Sequence, residues 1–405
     1  MREYSKTYLI ILLNSALILC LGVTTVDATT YYVATTGSDS NPGTSASPWR
    51  NPQKCAASPI QAGDTCIVRD GSYTDTKGTG IVVYASGRSP AGTLSQPITI
   101  KSETPLGAVI ILPDGPDDTQ NVGFYISQPY YIIEGFDIRG GTNTGIKTSH
   151  SGIVFNSAPG GIARLNSIHH IARTICSNSP YGKTGMLLNY SRDTIIEQNN
   201  FYSIGRLRNG ENDCSTTIFN HDHGIYIKGV TNVIVRRNVF YDTNRGWPIH
   251  VYGATTTDLN IYHNTFSGHS PTGRPAGHIL LGSTINGATI TNNISSDAKT
   301  GMIASYALKV SNVKVSYNLS DTLEIVGLNL PGITFSNNIL QSTNLGFVEK
   351  SQNDFRLSSA SAAINRGTTV GVPPVKDGSP DIGAYEFSDE NGSSSPGAPV
   401  GLTVR

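Results

Sequence analysis

The sequence predicts an all-β protein: a single-stranded right-handed parallel β-helix (a solenoid) with an N-terminal cap and a C-terminal closing segment. Three observations predict it. The pattern apolar, any, apolar, any, any, Asn recurs at intervals that drift between 20 and 39 residues. A second family of short, alternating apolar strands lies between those repeats. The composition is that of short strands joined by many turns, with 43 glycines in 405 residues and only 14% charged residues.

In chain order, residues 1–28 read as a signal peptide. Arg2 and Lys6 form a basic start, Tyr8 to Val23 is an apolar run, and Val26-Asp27-Ala28 is a small-residue cleavage site. The alternative, a retained membrane anchor, asks more length than this run has. Cys20 lacks the preceding small residue of a lipid-attachment site. Export without an anchor is expected, to a secreted or cell-surface location. Basic and acidic residues balance, 29 against 29 over the whole chain. No global field therefore draws nucleic acid or a membrane surface.

Residues 29–387 form the predicted solenoid, with residues 30–75 as cap and first coils and residues 340–387 closing the far end. Four cysteines remain after the leader. Their even number in an exported chain predicts disulfides, paired Cys55–Cys66 and Cys176–Cys214 because each pair closes a loop no longer than about one coil. Free buried thiols are the alternative.

The repeat reads Val233, Val235, Asn238; Leu259, Ile261, Asn264; Ala288, Ile290, Asn293; Val313, Val315, Asn318; and Ile333, Phe335, Asn338. Weaker copies end at Asn166 and Asn199. Alternation puts the apolar pair inside the coil. Asn tolerates the turn that follows, and stacked Asn side chains one coil apart form a hydrogen-bonded ladder. Drifting intervals suit a solenoid, because loop insertions leave the stacked strands unchanged.

The second family includes Gly152–Ser157, Gly185–Tyr190, Gly224–Gly229, Pro248–Gly253, Gly277–Gly282 and Gly301–Tyr306. Aligned on its first residue, it places Ile153, Met186, Ile225, Ile249 and Phe155, Leu188, Ile227, Val251 inward. The outward columns become Val154, Leu187, Tyr226, His250, Ile279 and Asn156, Asn189, Lys228, Tyr252, Leu281. His278 then falls inward, either as a satisfied interior histidine or as the sign of a one-residue slip. Residues 388–405 read as a polar linker and the start of a truncated or absent C-terminal module.

Tyr31-Tyr-Val-Ala-Thr-Thr-Gly-Ser-Asp-Ser-Asn-Pro-Gly-Thr44 with Ser47-Pro-Trp49, then Gly63-Asp-Thr-Cys-Ile-Val-Arg-Asp-Gly-Ser-Tyr73, resembles the N-terminal signature of secreted bacterial parallel β-helix proteins. These include pectate-lyase-like members such as polysaccharide lyase family 9. Pro380-Asp-Ile-Gly-Ala-Tyr-Glu-Phe387 resembles the closing motif of the same group, and Pro399–Arg405 looks like the first strand of a fibronectin type III domain. The resemblance implies fold and export. It carries no catalytic set, since that group mixes lyases, hydrolases, epimerases and proteins without known catalysis.

Residues 206–252 are the richest in chemistry and include the longest loop of the repeat, where solenoids build clefts. Lys/Arg outnumber Asp/Glu ten to six over residues 160–250, which suits an acidic glycan. The alignment sets Tyr226 beside His250 and Lys228 beside Tyr252. The expected catalytic residues are Lys228, His250, Arg245 and Tyr252, with His223, Tyr226, Trp247, Asp213 and Asp222 binding substrate. His221-Asp-His223 is also read as a weak metal motif, completed by Asp213 or His250. His169, His170, His263 and His269 are read as surface or turn residues.

The expected function is a polysaccharide lyase cleaving a uronic-acid glycan by β-elimination. Lys228 or His250 would be the base, Tyr252 or Tyr226 the acid, and Arg245 or a bound Ca²⁺ would neutralise the uronate carboxylate. A glycoside hydrolase would instead use two of Glu211, Asp213 and Asp222. A non-catalytic glycan-binding surface protein is the third reading. The expected partner is an acidic polysaccharide, with no nucleic acid or membrane, and the protein is expected to be a monomer.

Overall fold

The computed structural model describes residues 27–113, 120–141, 150–216, 220–243, 245–268, 277–298, 301–307, 309–327, 331–370 and 378–387. The expected polar tail, all but the last two residues of the expected leader, and His269 lie outside them. Three long parallel sheets of nine, eleven and nine strands run the length of the molecule, each strand pairing with its equivalent one coil away. In chain order, each coil contributes a strand to sheet 1 (such as Asp222–Lys228), to sheet 2 (Thr231–Arg236) and to sheet 3 (Val239–Thr243). The connections are short, and parallel strands joined in this way wind right-handed. This is the predicted solenoid.

The core is the inside of the coil. Ile153, Met186, Ile225 and Ile249 pair in register along sheet 1 and have no exposed surface. So do Phe155, Leu188, Ile227 and Val251. Sheet 3 stacks Phe201, Phe240 and Phe266 inside, with ring centroids 4.7 and 5.0 Å apart. The sheet 1 alignment slips by one residue at the coil of His278. Ile279 and Leu281 point inward and Leu280 outward, paired with His250. His278 occupies the column that Gly224 and Pro248 hold in the coils before it, its carbonyl accepting from the Ile249 N–H as that of Pro248 accepts from the Ile225 N–H. Glycine suits that column because a Cβ at Gly224 would meet Phe240 at 3.1 Å and the Pro248 carbonyl at 2.5 Å. His278 fits there because both ring nitrogens are bonded, to Ser295 Oγ at 2.8 Å and to the Gly268 carbonyl at 2.7 Å.

The Asn ladder sits at the corner between sheets 2 and 3. Each Asn Nδ2 donates to the Oδ1 of the next Asn, from Asn166 through Asn199, Asn238, Asn264, Asn293 and Asn318 to Asn338, at 2.9–3.0 Å. The backbone N–H of each Asn donates to that same oxygen. The residue before each Asn has a left-handed φ: Leu165, Gln198, Arg237, His263, Asn292, Tyr317 and Asn337, all between 50° and 59°.

At the N-terminal end, Thr30–Val33 forms the first strand of sheet 2. The signature residues build the cap. Trp49 is buried, stacks on Tyr31 at 4.8 Å and donates its indole N–H to the Asn41 carbonyl. Gly43 is required beneath it, since a Cβ there would sit 2.5 Å from the indole. The C-terminal segment folds back along the outer face of sheet 3. An antiparallel pair, Phe347–Glu349 with Asp354–Leu357, leads into it. Ile382 packs in one cluster with Ile294 and Leu319, and Ala384 and Tyr385 in another with Val239. Both expected disulfides form, Cys55–Cys66 and Cys176–Cys214, with Cα atoms 5.6 and 5.5 Å apart.

The ladder makes a measurable prediction. Asn264→Ala leaves the Asn238 amide and the Asn293 oxygen short of partners in a fully buried corner. It should lower the unfolding free energy by about 1–3 kcal/mol in denaturant titration. Asn338→Ala, at the less buried end of the ladder, should cost less.

Candidate functional site

The outer face of sheet 1 holds the candidate site. Residues two apart on a strand share a face, and the register places Leu187, Tyr226, His250 and Leu280 in one outward column. Lys228 stands one step along its strand, in line with Asn189. Tyr252 follows His250 in the same direction and is 53% exposed. Its ring lies 5.6 Å from that of His250, while Tyr226 meets His250 edge-on at 5.1 Å. Tyr226 Oη and the Lys228 side chain both come within 3.5 Å of the point a Cβ on Gly253 would occupy. Gly253 has φ +93°, so a larger residue would be both strained and obstructive there. Lys228 Nζ lies over the ring of Tyr190, 5.6 Å from its centroid.

Behind this surface is a two-imidazole relay. The Trp247 backbone N–H donates to His223 Nδ1 at 3.2 Å. That bond makes Nδ1 the acceptor of the neutral ring, so the proton is on Nε2. His223 Nε2 then donates to His250 Nδ1 at 2.7 Å. Neutral His250 carries its own proton on Nε2, the free end of the relay. Burial holds the His223 imidazole well below its usual range and His250 at about 3, with neighbouring imidazoles adding to the effect. Burial, with Tyr252 nearby, raises Tyr226 above the ordinary phenol value, so it keeps its proton at neutral pH. The outward surface is therefore a set of uncharged hydrogen-bond donors beside one amine.

Several expected residues lie elsewhere. Arg245 has no exposed surface and points into the protein, with Nη1 donating to the Ser177 carbonyl at 2.8 Å. It cannot face a substrate carboxylate from there. Asp222 is also fully buried, paired with Arg206 through both oxygens at 2.8 and 2.9 Å. His223 supports His250 from below rather than lining the surface. Trp247 is buried against Leu280 and Ala304, so the exposed aromatic surface comes from Tyr252 and Tyr190. Asp213 is exposed on the turn Glu211–Asp213.

The metal motif dissolves for a chemical reason, since both nitrogens of His223 are spent in the relay. Among the described residues no group of three or more His, Cys, Asp or Glu could hold a metal. Among the described residues the expected carboxylates are also mostly taken up. Of the three carboxylates expected here, Asp222 is saturated by hydrogen bonds, Glu211 is bound to Arg173, and Asp213 is exposed. The local basic excess is largely consumed as well. Arg164, Arg173, Arg206, Arg236 and Arg237 all pair with carboxylates.

Two histidines expected at the surface or in turns are buried. His169 bonds Asp137 at 2.9 Å and His170 at 2.6 Å, and stacks on Tyr202. His263 lies between the Asp381 carbonyl at 3.1 Å and the Asn292 amide at 2.8 Å, and burial holds it near 3. Sequence reasoning also missed the buried polar column Asn121, His150, Lys183 and Asp222 at the start of the sheet 1 strands. Its only signal was that each is a polar residue just before an apolar strand.

The buried histidines make stability depend on pH. An unfolded histidine takes up its proton near pH 6.5, whereas His250 and His263 do so only near 3. Between those values the unfolded chain binds more protons, so stability falls as pH drops from about 6.5 toward 3. His263→Gln should flatten that slope, read as unfolding temperature against pH; an unchanged slope would mean that His263 is not held neutral.

A family model described as a right-handed β-helix region matches residues 209–360. No curated protein matches the sequence. Among solved structures, the pectate lyase Pel9A is similar with a TM-score of 0.55 at 16% identity, over 89% of this chain and 96% of its own. One described as a glycoside hydrolase has a TM-score of 0.51 at 9% identity, over 82% of this chain and 99% of its own. At such identities the likeness is one of architecture: the chain is a right-handed parallel β-helix.

Proposed function

We propose that the protein is an extracytoplasmic carbohydrate-active enzyme that cleaves a uronic-acid glycan by β-elimination on the outer face of sheet 1. The observation that carries this reading is the make-up of that face. It gathers one amine, a phenol that keeps its proton and an imidazole N–H held neutral from behind. Elimination needs those groups. In the proposed step the Lys228 amine takes the C5 proton, and electron density moves into the uronate carboxyl. The Nε2–H of His250 stabilises that charge, a task that Arg245 is too buried to perform. The C4–O bond then breaks, a double bond forms between C4 and C5, and Tyr226 or Tyr252 protonates the leaving oxygen. The relay makes His250 a donor rather than the base, so the base falls to Lys228.

Hydrolysis is less well supported. It calls for two carboxylates facing one bond. Of the three candidates, Asp222 is sealed in with Arg206 and Glu211 is bound to Arg173. The fold neighbour Pel9A is a pectate lyase, which agrees with an acidic glycan. Two disulfides suit an oxidising compartment, and no helix among the described residues is long and apolar enough to cross a membrane. With the leader expected at residues 1–28, the disulfides support a secreted protein.

The test is to incubate the protein with a panel of uronic-acid polymers and follow the near-ultraviolet absorbance of the unsaturated product. Lys228→Ala should lower turnover roughly a hundredfold or more. New reducing ends without absorbance would replace elimination with hydrolysis. Full turnover in Lys228→Ala would move the base elsewhere.

A further inference from the structure

Sheets 1 and 2 present opposite surfaces. The outward column of sheet 2 through Lys101, Glu134, Arg164, Glu197 and Arg236 is charged at every coil, with alternating sign. Arg164 closes a salt bridge to Glu134, and Arg236 to Glu197. The outward columns of sheet 1 are nearly free of charge. One runs through Val154, Leu187, Tyr226, His250 and Leu280, the other through Asn156, Asn189, Lys228, Tyr252 and Gly282. Lys228 is the one charged side chain in either run, since His250 is held neutral.

The surroundings of Lys228 are also built from aromatic rings. Tyr190 stands on the coil before it and Tyr252 on the coil after it, each 53% exposed. Each ring lies against a glycine of the following coil. A Cβ on Gly229 would sit 2.6 Å from the Tyr190 ring, and one on Gly282 2.9 Å from the Tyr252 ring. Beside Tyr190, Leu187 is partly exposed, and Asn189 donates its amide to Asn156 Oδ1 at 2.6 Å. The exposed aromatic side chains among the described residues, Tyr84, Tyr181, Tyr190 and Tyr252, all stand on or beside strands of sheet 1.

Neighbouring coils are about 4.8 Å apart, close to the advance of one sugar in an extended glycan. A run of uronates along sheet 1 would bring a carboxylate to every coil and find one amine. Each further carboxylate would lose water over Leu187 or a tyrosine ring with no cation in return. An uncharged pyranose suits the same places, packing its C–H face on a ring and bonding its hydroxyls to the amides. We infer that the glycan held on sheet 1 carries a single uronate at Lys228 and uncharged sugars on either side, against Tyr190 and Tyr252. The inference rests on the proposed function for the place of the site and the uronate, and adds what flanks them.

The experiment uses the full chain in native gels cast with each of three polymers. One alternates a uronic acid with a neutral sugar, one is a partly methyl-esterified homopolymer of uronic acid, and one is the same homopolymer unesterified. Retardation gives the affinity, and the absorbance of unsaturated product is read in parallel. The alternating or the partly esterified polymer should bind about tenfold or more tighter than the unesterified one, and whichever leads names the source of the uncharged neighbours. Tyr190→Ala and Tyr252→Ala should each weaken that binding about fivefold to tenfold at an unchanged unfolding temperature. Equal or tighter binding of the unesterified polymer, no retardation by any polymer, or binding unmoved by both tyrosine variants would overturn the inference. Binding in the expected order without unsaturated product would uphold the flanking sugars and sink elimination. Unsaturated product with tightest binding to the unesterified polymer would keep elimination and sink the inference.

Discussion

The corner between sheets 2 and 3 is the constraint on which the rest of the structure depends. At every coil from Leu165 to Asn337 the chain turns through a left-handed residue that is not glycine. Such a conformation is unfavourable for an L side chain by roughly 1–2 kcal/mol. The Asn that follows offsets it by satisfying the backbone of its own coil and of the preceding one. The strain is local, but its relief comes from the neighbour, so the corner is stable only in a stack. Sheet 2 and sheet 3 are thereby held in one phase over the whole length.

That phase is what brings chemistry together on sheet 1. Tyr226 and His250 are 24 residues apart in sequence and adjacent in space because their coils are stacked without a shift. The relay from the Trp247 backbone through His223 to His250 adds orientation. A surface imidazole would be free to titrate and to rotate. Here it is neutral and fixed, with a single proton pointing one way. The exposed groups beside it, Tyr252 and Lys228, gain a rigid neighbour from a frame made of apolar strands.

Much of this was legible in the sequence because coil formation is governed by near neighbours. The Asn ladder was readable from Asn238 to Asn338, since the apolar pair and the Asn keep a constant spacing, and faint at Asn166, where Gly161 and Ala163 stand in for the pair. The inward columns through Ile249 and Val251 were readable for the same reason. The slip at His278 was legible only as one of two alternatives, because Gly277 imitates the glycine that opens the earlier strands while the structure seats His278 in that column. The burial of Arg245, Asp222 and Trp247 was hidden for a different reason. It comes from what folds over the start and the outer face of sheet 1, and a loop's path leaves no periodic trace. Charge counting failed likewise, as the arginines meet carboxylates from neighbouring coils, such as Glu134 for Arg164 and Glu197 for Arg236.

The same ladder makes the coil a unit of change. Asn238 bonds Asn264 in the way Asn264 bonds Asn293, so the faces presented on the two sides of a coil are interchangeable. Removing or duplicating one whole turn would join like to like, whereas removing half a turn would leave a strained corner without its partner. Lengths in this architecture should therefore vary in whole turns, with loops free to vary between them. Two descendants of one ancestor can then differ greatly in size and hardly at all in cross-section.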